Sequence, residues 1–338
     1  MKVLFIGGTG NISSACVELA LLRAYQVSIL TRGTRPATFS KPVTTILGDR
    51  NDAALLERVG KQGHYDVVAN FVGYTPDQVG IDVAAFAGQV GQYIFISSAS
   101  AYQKPPTHYV ITEDTPLENP FWQYSRDKIA CERALMRAHR ERGFPVTIVR
   151  PSHTFGPTRI PSGVGGHGCT IVGRMRQGKP IISHGDGQSL WVITFHTDFA
   201  LGFVGLFGNR QALGEAFHIT TDEVLTWDQI YRTIAHAAGC EARIVHISSD
   251  FLAALYPELG PGLLGDKAYS VVFDNSKIKR TVPGFVARVS FAEGIARSIA
   301  WHEADPSRRV VDDELNAKMD HLIEAHQRAM VENVPRRA

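Results

Sequence analysis

Residues 2–20, KVLFIGGTGNISSACVELA, decide the fold. The apolar run KVLFI is typical of a buried strand, and from Ile12 onward apolar residues recur at helical spacing. Glycines between a strand and a helix let the backbone approach a pyrophosphate at the helix N-terminus, although such a turn can also be purely structural. The stretch predicts a dinucleotide site at Gly7 and Gly10. Ser13 replaces the third glycine of the usual pattern and is small enough for close helix packing.

Strands alternate with helices along the first half of the chain. Helical patterns, of which residues 124–142 form the longest, separate the apolar runs. This alternation predicts an α/β fold with a Rossmann-type, doubly wound parallel sheet. The predicted strands are residues 2–6, 26–30, 44–47, 66–71, 93–96 and 146–149.

The composition changes after Arg150-Pro151, where glycine and proline become frequent. We therefore expect a Rossmann dinucleotide-binding domain at residues 1–155. Residues 156–338 are expected to form mainly a smaller C-terminal α/β substrate-binding region, with some segments returning to the Rossmann sheet.

Charge and cysteine content exclude several classes of protein. The 35 basic and 33 acidic residues nearly cancel, so we expect no nucleic acid and no anionic membrane as a partner. No stretch reaches the roughly 20 apolar residues that a transmembrane helix needs. The four cysteines include no C-x-x-C pair, and the histidines show no HExxH-like spacing. This pattern predicts reduced thiols in a cytoplasmic protein and no metal site.

The end of the second predicted strand discriminates between cofactors. An acid there binds the ribose hydroxyls of NAD, whereas an arginine can pair with the 2′-phosphate of NADP. The acid is absent, and Arg32 and Arg35 favour NADP over NAD, although exposed arginines are often only solvated charges. Asp49, after the third strand, either accepts a hydrogen bond from the adenine amine or caps the next helix.

Tyr124 and Lys128 stand four residues apart in a helical pattern, which places both on one face of the helix. An ammonium beside a tyrosine favours its phenolate, so the pair can remove a hydroxyl proton as hydride leaves the same carbon. A Y-x-x-x-K spacing alone also arises by chance. Ser98 follows the strand at residues 93–96, where its hydroxyl can bond the reacting oxygen or simply end the strand.

Four motifs together resemble one family. GGTG at residues 7–10, SSASAY at residues 97–102, YSRDK at residues 124–128 and RPSHTFGP at residues 150–157 are similar to the extended short-chain dehydrogenase/reductase family, the NAD-dependent epimerase/dehydratases of sugars. The segments GGTGNIS, LTRG and SLW are most similar to the branch that includes relatives of the chloroplast stem-loop-binding proteins.

The resemblance implies Ser98, Tyr124 and Lys128 as the catalytic triad, a sugar-like substrate and a possible homodimer. It also implies a cofactor site lined by Gly7, Gly10, Asn11, Ile12, Arg32, Asp49, Arg50, Phe71, Val72, Tyr124, Lys128 and Pro151.

Two positions depart from the family's pattern. His153 stands where sugar-nucleotide epimerases usually have an asparagine, and Trp191 where they usually have an arginine that grips the diphosphate. Tryptophan removes a charge-assisted anchor and offers a flat apolar face, which favours a sugar ring or other ring over a nucleotide-diphosphate sugar. Either residue can instead belong to the core.

The leading functional hypothesis is an epimerase or dehydratase acting on a sugar-like secondary alcohol through hydride transfer. An NADPH-dependent carbonyl reductase or dehydrogenase is the alternative among enzymes, and no acidic residue beside Ser98 is identified for a dehydration. A non-catalytic dinucleotide-binding or RNA-binding relative is the alternative from another class.

Overall fold

The computed structural model describes residues 1–35, 37–166 and 169–332. Fifteen strands are present in these ranges. They are β1 Lys2–Ile6, β2 Gln26–Thr31, β3 Thr44–Leu47, β4 Val67–Asn70, β5 Gln92–Ile96, β6 Val110–Ile111, β7 Val146–Pro151, β8 His153–Phe155, β9 Ile181–His184, β10 Leu190–Trp191, β11 Ile193–Phe195, β12 Ala216–Ile219, β13 Leu225–Thr226, β14 Ile244–Ile247 and β15 Val272–Phe273.

The same ranges contain twelve α-helices and a π-helical turn at Leu263–Lys267. The helices are α1 Ser13–Leu22, α2 Ala53–Gly63, α3 Pro76–Phe86, α4 Gln123–Arg142, α5 Thr170–Arg176, α6 His196–Gly205, α7 Trp227–Ala237, α8 Ser249–Leu255, α9 Gly260–Gly262, α10 Ser276–Thr281, α11 Phe291–Glu303 and α12 Asp313–Glu332.

Seven parallel strands form the central sheet in the order β3-β2-β1-β4-β5-β7-β12. The chain runs outward from β1 to one edge and then returns to build the other side, which is the doubly wound topology of the Rossmann fold. The predicted fold class is confirmed. The last strand, β12, comes from the second half of the chain and pairs with β7.

Successive side chains of β1 point to opposite faces of the sheet, and their apolar character explains why helices cover both faces. Val3 and Phe5 contribute to a core that also contains residues of α1 and α6. Leu4 and Ile6 face the opposite core, which contains residues of α2, α3 and α4. A parallel strand that is apolar on both faces must be buried on both, and all four of these side chains are fully buried.

The second half of the chain builds its own core from short strand pairs and helices. Parallel pairs β8–β11 and β9–β14 and the antiparallel pair β10–β13 surround Trp191 and Trp227. The apolar stripe of α12 packs into the same core through Leu315, Met319, Leu322 and Ile323. In none of the described helices do length and apolar character together suffice to cross a lipid bilayer.

Candidate active site

A cavity of about 1030 Å³ opens at the carboxyl edge of the central sheet. This edge is where parallel α/β sheets bind ligands, because the strands end there and the loops diverge. The cavity brings together every site residue predicted from the sequence. Its lining includes Gly7, Gly10, Asn11, Ile12, Arg32, Asp49, Arg50, Phe71, Val72, Ser98, Tyr124, Lys128, Pro151, His153 and Trp191.

The glycine-rich turn has the geometry of a dinucleotide cradle. Gly7 adopts a φ of +86°, and a Cβ atom there would lie 2.6 Å from Cγ1 of Val72. The Gly10 amide donates to the Ser13 hydroxyl over 2.8 Å, so the serine that replaces the third glycine helps to shape the turn. The buried side-chain oxygen of Asn11 has no partner within the described chain. The backbone, the space and this free polar atom fit a bound dinucleotide.

Asp49 and Arg50, both predicted to line the cofactor site, have different surroundings. The Asp49 carboxylate accepts from the Asn51 amide at 2.8 Å, whereas Asp52 caps α2 by accepting from Leu55. The alternative in which Asp49 caps this helix is therefore wrong. Arg50 is buried and forms an ion pair with Asp82 at 2.7 Å, yet its Nε and Nη1 atoms have no partner in the described part of the chain.

The ion pair belongs to a buried network beneath the cavity. Asn70 and the Tyr93 hydroxyl each donate to the Asp82 carboxylate over 2.7 Å. Burial raises the pKa of Asp82 to about 6, against the lowering effect of Arg50. The network anchors Arg50, whose side chain lines the cavity.

Lys128 is fixed by two backbone carbonyl groups. Its ammonium donates to the oxygens of Gly73 and Ile96, both at 2.7 Å, and lies 5.7 Å from the centre of the Tyr124 ring. The side chain is 1% exposed, and burial lowers its pKa to about 8. At neutral pH the site therefore holds a desolvated positive charge behind the tyrosine.

Tyr124 and Ser98 form the polar end of the cavity. Burial raises the pKa of Tyr124 to about 12, and the Ser98 hydroxyl opposes this shift. The hydroxyl oxygen of Ser98 lies 2.8 Å from that of Ser100, which accepts from the Ser125 hydroxyl at 2.7 Å. This chain of hydroxyls orients Ser98 without a carboxylate.

Trp191 has both of the roles that the sequence leaves open, because it belongs to the core and also lines the cavity. It is 3% exposed and packs 5.6 Å from Trp227, so it belongs to the second core. It also lines the cavity beside His153, and its indole nitrogen has no partner in the described ranges. A buried indole N–H usually has a hydrogen-bond partner.

Sequence reasoning did not find four charged residues of this cavity, which are Lys104, Arg159, Asp266 and Lys267. Arg159 lies at the glycine-rich end, while Lys104 and Asp266 lie with Trp122 among the lining residues of the same cavity. No local motif marks any of them, because tertiary contacts between distant segments place them there.

The lowered pKa of Lys128 predicts a pH effect on stability. The unfolded chain holds this proton with a pKa near 10.5 and the native protein with a pKa of about 8, so rising pH favours the native state across that interval. Relative to Lys128→Met, the native protein should gain about 2–3 kcal/mol in free energy of unfolding between about pH 7 and pH 10. Urea unfolding of both proteins at the two pH values measures the difference; a constant difference would contradict a desolvated ammonium.

Comparison with known proteins places the chain in a family. Residues 3–219 match the model of the NAD dependent epimerase/dehydratase family. The chain belongs to this family. The member described here is an NAD(P)-dependent enzyme of the extended short-chain dehydrogenase/reductase type, as its sequence motifs predict.

Two curated proteins and one solved structure illustrate what this chain is similar to. A 2′-dehydrokanamycin reductase of Streptomyces kanamyceticus is 24% identical over 95% of this chain and 90% of its own. The chloroplast stem-loop binding protein of 41 kDa b of Arabidopsis thaliana is 26% identical over 72% of this chain and 65% of its own. The structure of UDP-glucose 4-epimerase from Bifidobacterium longum, in complex with NAD+ and UDP, superimposes with a TM-score of 0.71 at 22% identity, covering 90% of this chain and 99% of that one.

Proposed function

We propose that this enzyme interconverts a secondary alcohol and a ketone on a sugar-like ring, with Tyr124 as the acid and base. The observation that carries the proposal is the placement of Tyr124, Ser98 and Lys128 in one cavity with the glycine-rich turn. The hydride chemistry is supplied by the nicotinamide when the cofactor is bound.

The protein's own contribution is to hold and move one proton at the Tyr124 hydroxyl. With a pKa near 12 the phenol is protonated at neutral pH, which suits donation to a developing alkoxide. Removal of a substrate proton requires the phenolate, which the Lys128 ammonium stabilises from its buried position. Ser98 can hydrogen-bond the same oxygen and so fixes the reacting carbon against the tyrosine.

The charges of the cavity favour simple oxidation and reduction, or epimerisation, over dehydration. Elimination of water needs an acid/base pair in addition to the tyrosine. Among the described residues that line the cavity, the carboxylates are Asp49 and Asp266, and Ser98 is followed by Ala99 and a second serine.

NADP is the cofactor that we propose. Arg35 and Arg159 both line the space beside Thr9–Asn11, and burial together with the charge of Arg35 lowers the pKa of Arg159. Neither guanidinium has a carboxylate partner in the described part of the chain. Two unpaired arginines near the end of β2 fit the dianionic 2′-phosphate that distinguishes NADP from NAD.

Replacing Arg159 should weaken NADPH binding selectively. Arg159→Met is expected to raise the Kd for NADPH about tenfold, because one charge-assisted contact to the phosphate is lost, and to leave the Kd for NADH within about twofold. Titration of reduced-nicotinamide fluorescence measures both constants. The exposed Arg58, replaced by methionine, is the control. Equal weakening of NADPH and NADH would instead assign Arg159 to the pyrophosphate.

A turnover panel tests the proposed activity. The native protein is incubated with free sugars, methyl glycosides, their keto derivatives and nucleotide-linked sugars, each with NADP or NADPH, and product and cofactor are quantified together. One cofactor consumed per product identifies a reductase or dehydrogenase. Turnover at constant cofactor identifies an epimerase when the product is an isomer of the substrate and a dehydratase when the product has lost water. Failure of the protein to bind any dinucleotide would refute the proposal.

A further inference from the structure

Three aromatic rings surround the buried ammonium of Lys128. Its nitrogen lies 4.8 Å from the centre of the Phe95 ring, 4.9 Å from that of Tyr74 and 5.7 Å from that of Tyr124. Each distance is within the roughly 6 Å over which a ring face attracts a cation. Together with the two carbonyl groups that accept from the ammonium, these rings leave Lys128 only 1% exposed.

Tyr74 is the ring of this group that reaches the solvent. Phe95 is fully buried in a core of the central sheet, and Tyr124 is partly buried. Tyr74, by contrast, is 46% exposed and lines the cavity. A half-exposed ring over a fully buried charge covers the side of that charge from which water can enter. The Tyr74 ring therefore forms the outer wall around the Lys128 ammonium.

The backbone on both sides of the Tyr74 side chain is fixed. The carbonyl of Gly73 accepts from Lys128 at 2.7 Å, and the Tyr74 amide donates to Oε1 of Gln78, also at 2.7 Å. Gln78 in turn forms the capping box of α3 with Thr75. Because these bonds use backbone groups of Gly73 and Tyr74, they survive a change of the Tyr74 side chain.

The charges near the ammonium do not replace the wall. Cys131 and Glu132 lie on the same helix and would raise the pKa of Lys128, but Glu132 is already paired with Arg150. Burial is the largest influence and lowers this pKa to about 8. The state of the ammonium thus depends first on the exclusion of water.

We propose that Tyr74 is a positioning residue of the reaction, whose ring excludes water from the Lys128 ammonium and so keeps its charge effective at Tyr124. The inference rests on the proposed function. A positive charge stabilises a nearby phenolate more strongly when water does not screen it. The phenolate forms both when Tyr124 donates its proton and when it must first lose that proton to act as a base, so the wall assists both directions.

Competitive acetylation of lysines tests the inference without turnover. The full-length protein and a free amine standard are pulsed with a trace of acetic anhydride between about pH 6 and pH 10. Mass spectrometry of the peptide that carries Lys128 gives the pH midpoint of its reactivity. Tyr74→Phe keeps the ring and Tyr74→Ala removes it. Tyr109→Ala is the control, because it removes a tyrosine of similar exposure outside the cavity lining.

The expected result is a higher midpoint in one variant only. Tyr74→Ala should raise the midpoint by at least about one pH unit, because water reaches the ammonium and the pKa of Lys128 returns toward its usual 10.5. Loss of one ring face acts in the opposite direction but is the smaller effect, since burial lowers this pKa despite three ring faces. Tyr74→Phe and Tyr109→Ala should keep the native midpoint within about 0.3 units.

Kinetics on a substrate from the turnover panel provide the second readout. Tyr74→Ala should lower kcat about tenfold, and Tyr74→Phe should restore most of it, because the ring and not its hydroxyl excludes water. An unchanged midpoint or a native kcat in Tyr74→Ala, or an equal shift in Tyr74→Phe, would overturn the inference. Absence of turnover in the native protein is instead a failure of the proposed function, which the midpoint of Lys128 distinguishes from failure of the wall.

Discussion

Replacement of Tyr124 by phenylalanine is expected to lower kcat by about 10²- to 10⁴-fold, the usual contribution of a positioned acid or base. The variant removes one hydroxyl and keeps the aromatic ring. Lys128 keeps both of its carbonyl acceptors, because neither belongs to the tyrosine. The Kd for NADPH should therefore change by less than about twofold. Steady-state kinetics on a substrate identified in the panel, with a parallel cofactor titration, give both quantities.

Tyr109→Phe provides the matched control for this experiment. Tyr109 is 53% exposed and lies outside the lining of the cavity, so the same chemical change there should leave kcat unaltered. Ser98→Ala should give an intermediate loss, since a hydrogen bond to the reacting oxygen is removed while the tyrosine remains. A Tyr124→Phe protein with native kcat would show that the proton is handled elsewhere.

The fold and the catalytic end of the cavity could be predicted from the sequence because their signals are local. A strand, a glycine-rich turn and a helix lie within residues 2–20, and Tyr124 and Lys128 are one helical turn apart. The spacing of apolar residues predicts the strand and the helix, and a separation of four residues places two side chains on one helix face. The strand that ends at Ile96 similarly leads to Ser98 at the sheet edge.

The remaining charges of the cavity could not be predicted, since tertiary contacts between distant segments place them. Lys104 and Asp266 are far apart in the chain, and the amide of Asn119 joins their segments by bonding both Ser100 and Gly265. Arg50 illustrates a second limit of prediction from the sequence. The sequence places it next to Asp49, but its buried partner Asp82 belongs to α3, the second helix after Arg50, and periodicity alone does not pair the two residues.

Substitution of Glu132 should cause the largest loss of stability among the changes considered. Glu132 and Arg150 are both almost fully buried and form a two-pronged ion pair, with contacts of 2.6 Å and 3.0 Å. The same carboxylate accepts from the Ser97 hydroxyl at 2.5 Å. Glu132→Ala leaves the guanidinium buried without its partner, and the free energy of unfolding should fall by about 3–5 kcal/mol. Urea unfolding at pH 7 measures the change.

The double variant Glu132→Met/Arg150→Met distinguishes two effects. One is the energetic cost of an unpaired buried charge, and the other is the loss of the contact that holds α4 to the central sheet. It removes both charges, so its free energy of unfolding should exceed that of Glu132→Ala, and an equal or lower value would contradict the buried-charge explanation.

The activity of the double variant should nevertheless stay low. Tyr124, Lys128 and Glu132 recur every four residues along α4, and Glu132 fastens that face of the helix to the ends of β5 and β7 through Ser97 and Arg150. Without that link, the tyrosine loses its position relative to Ser98, and kcat should fall more than the affinity for NADPH.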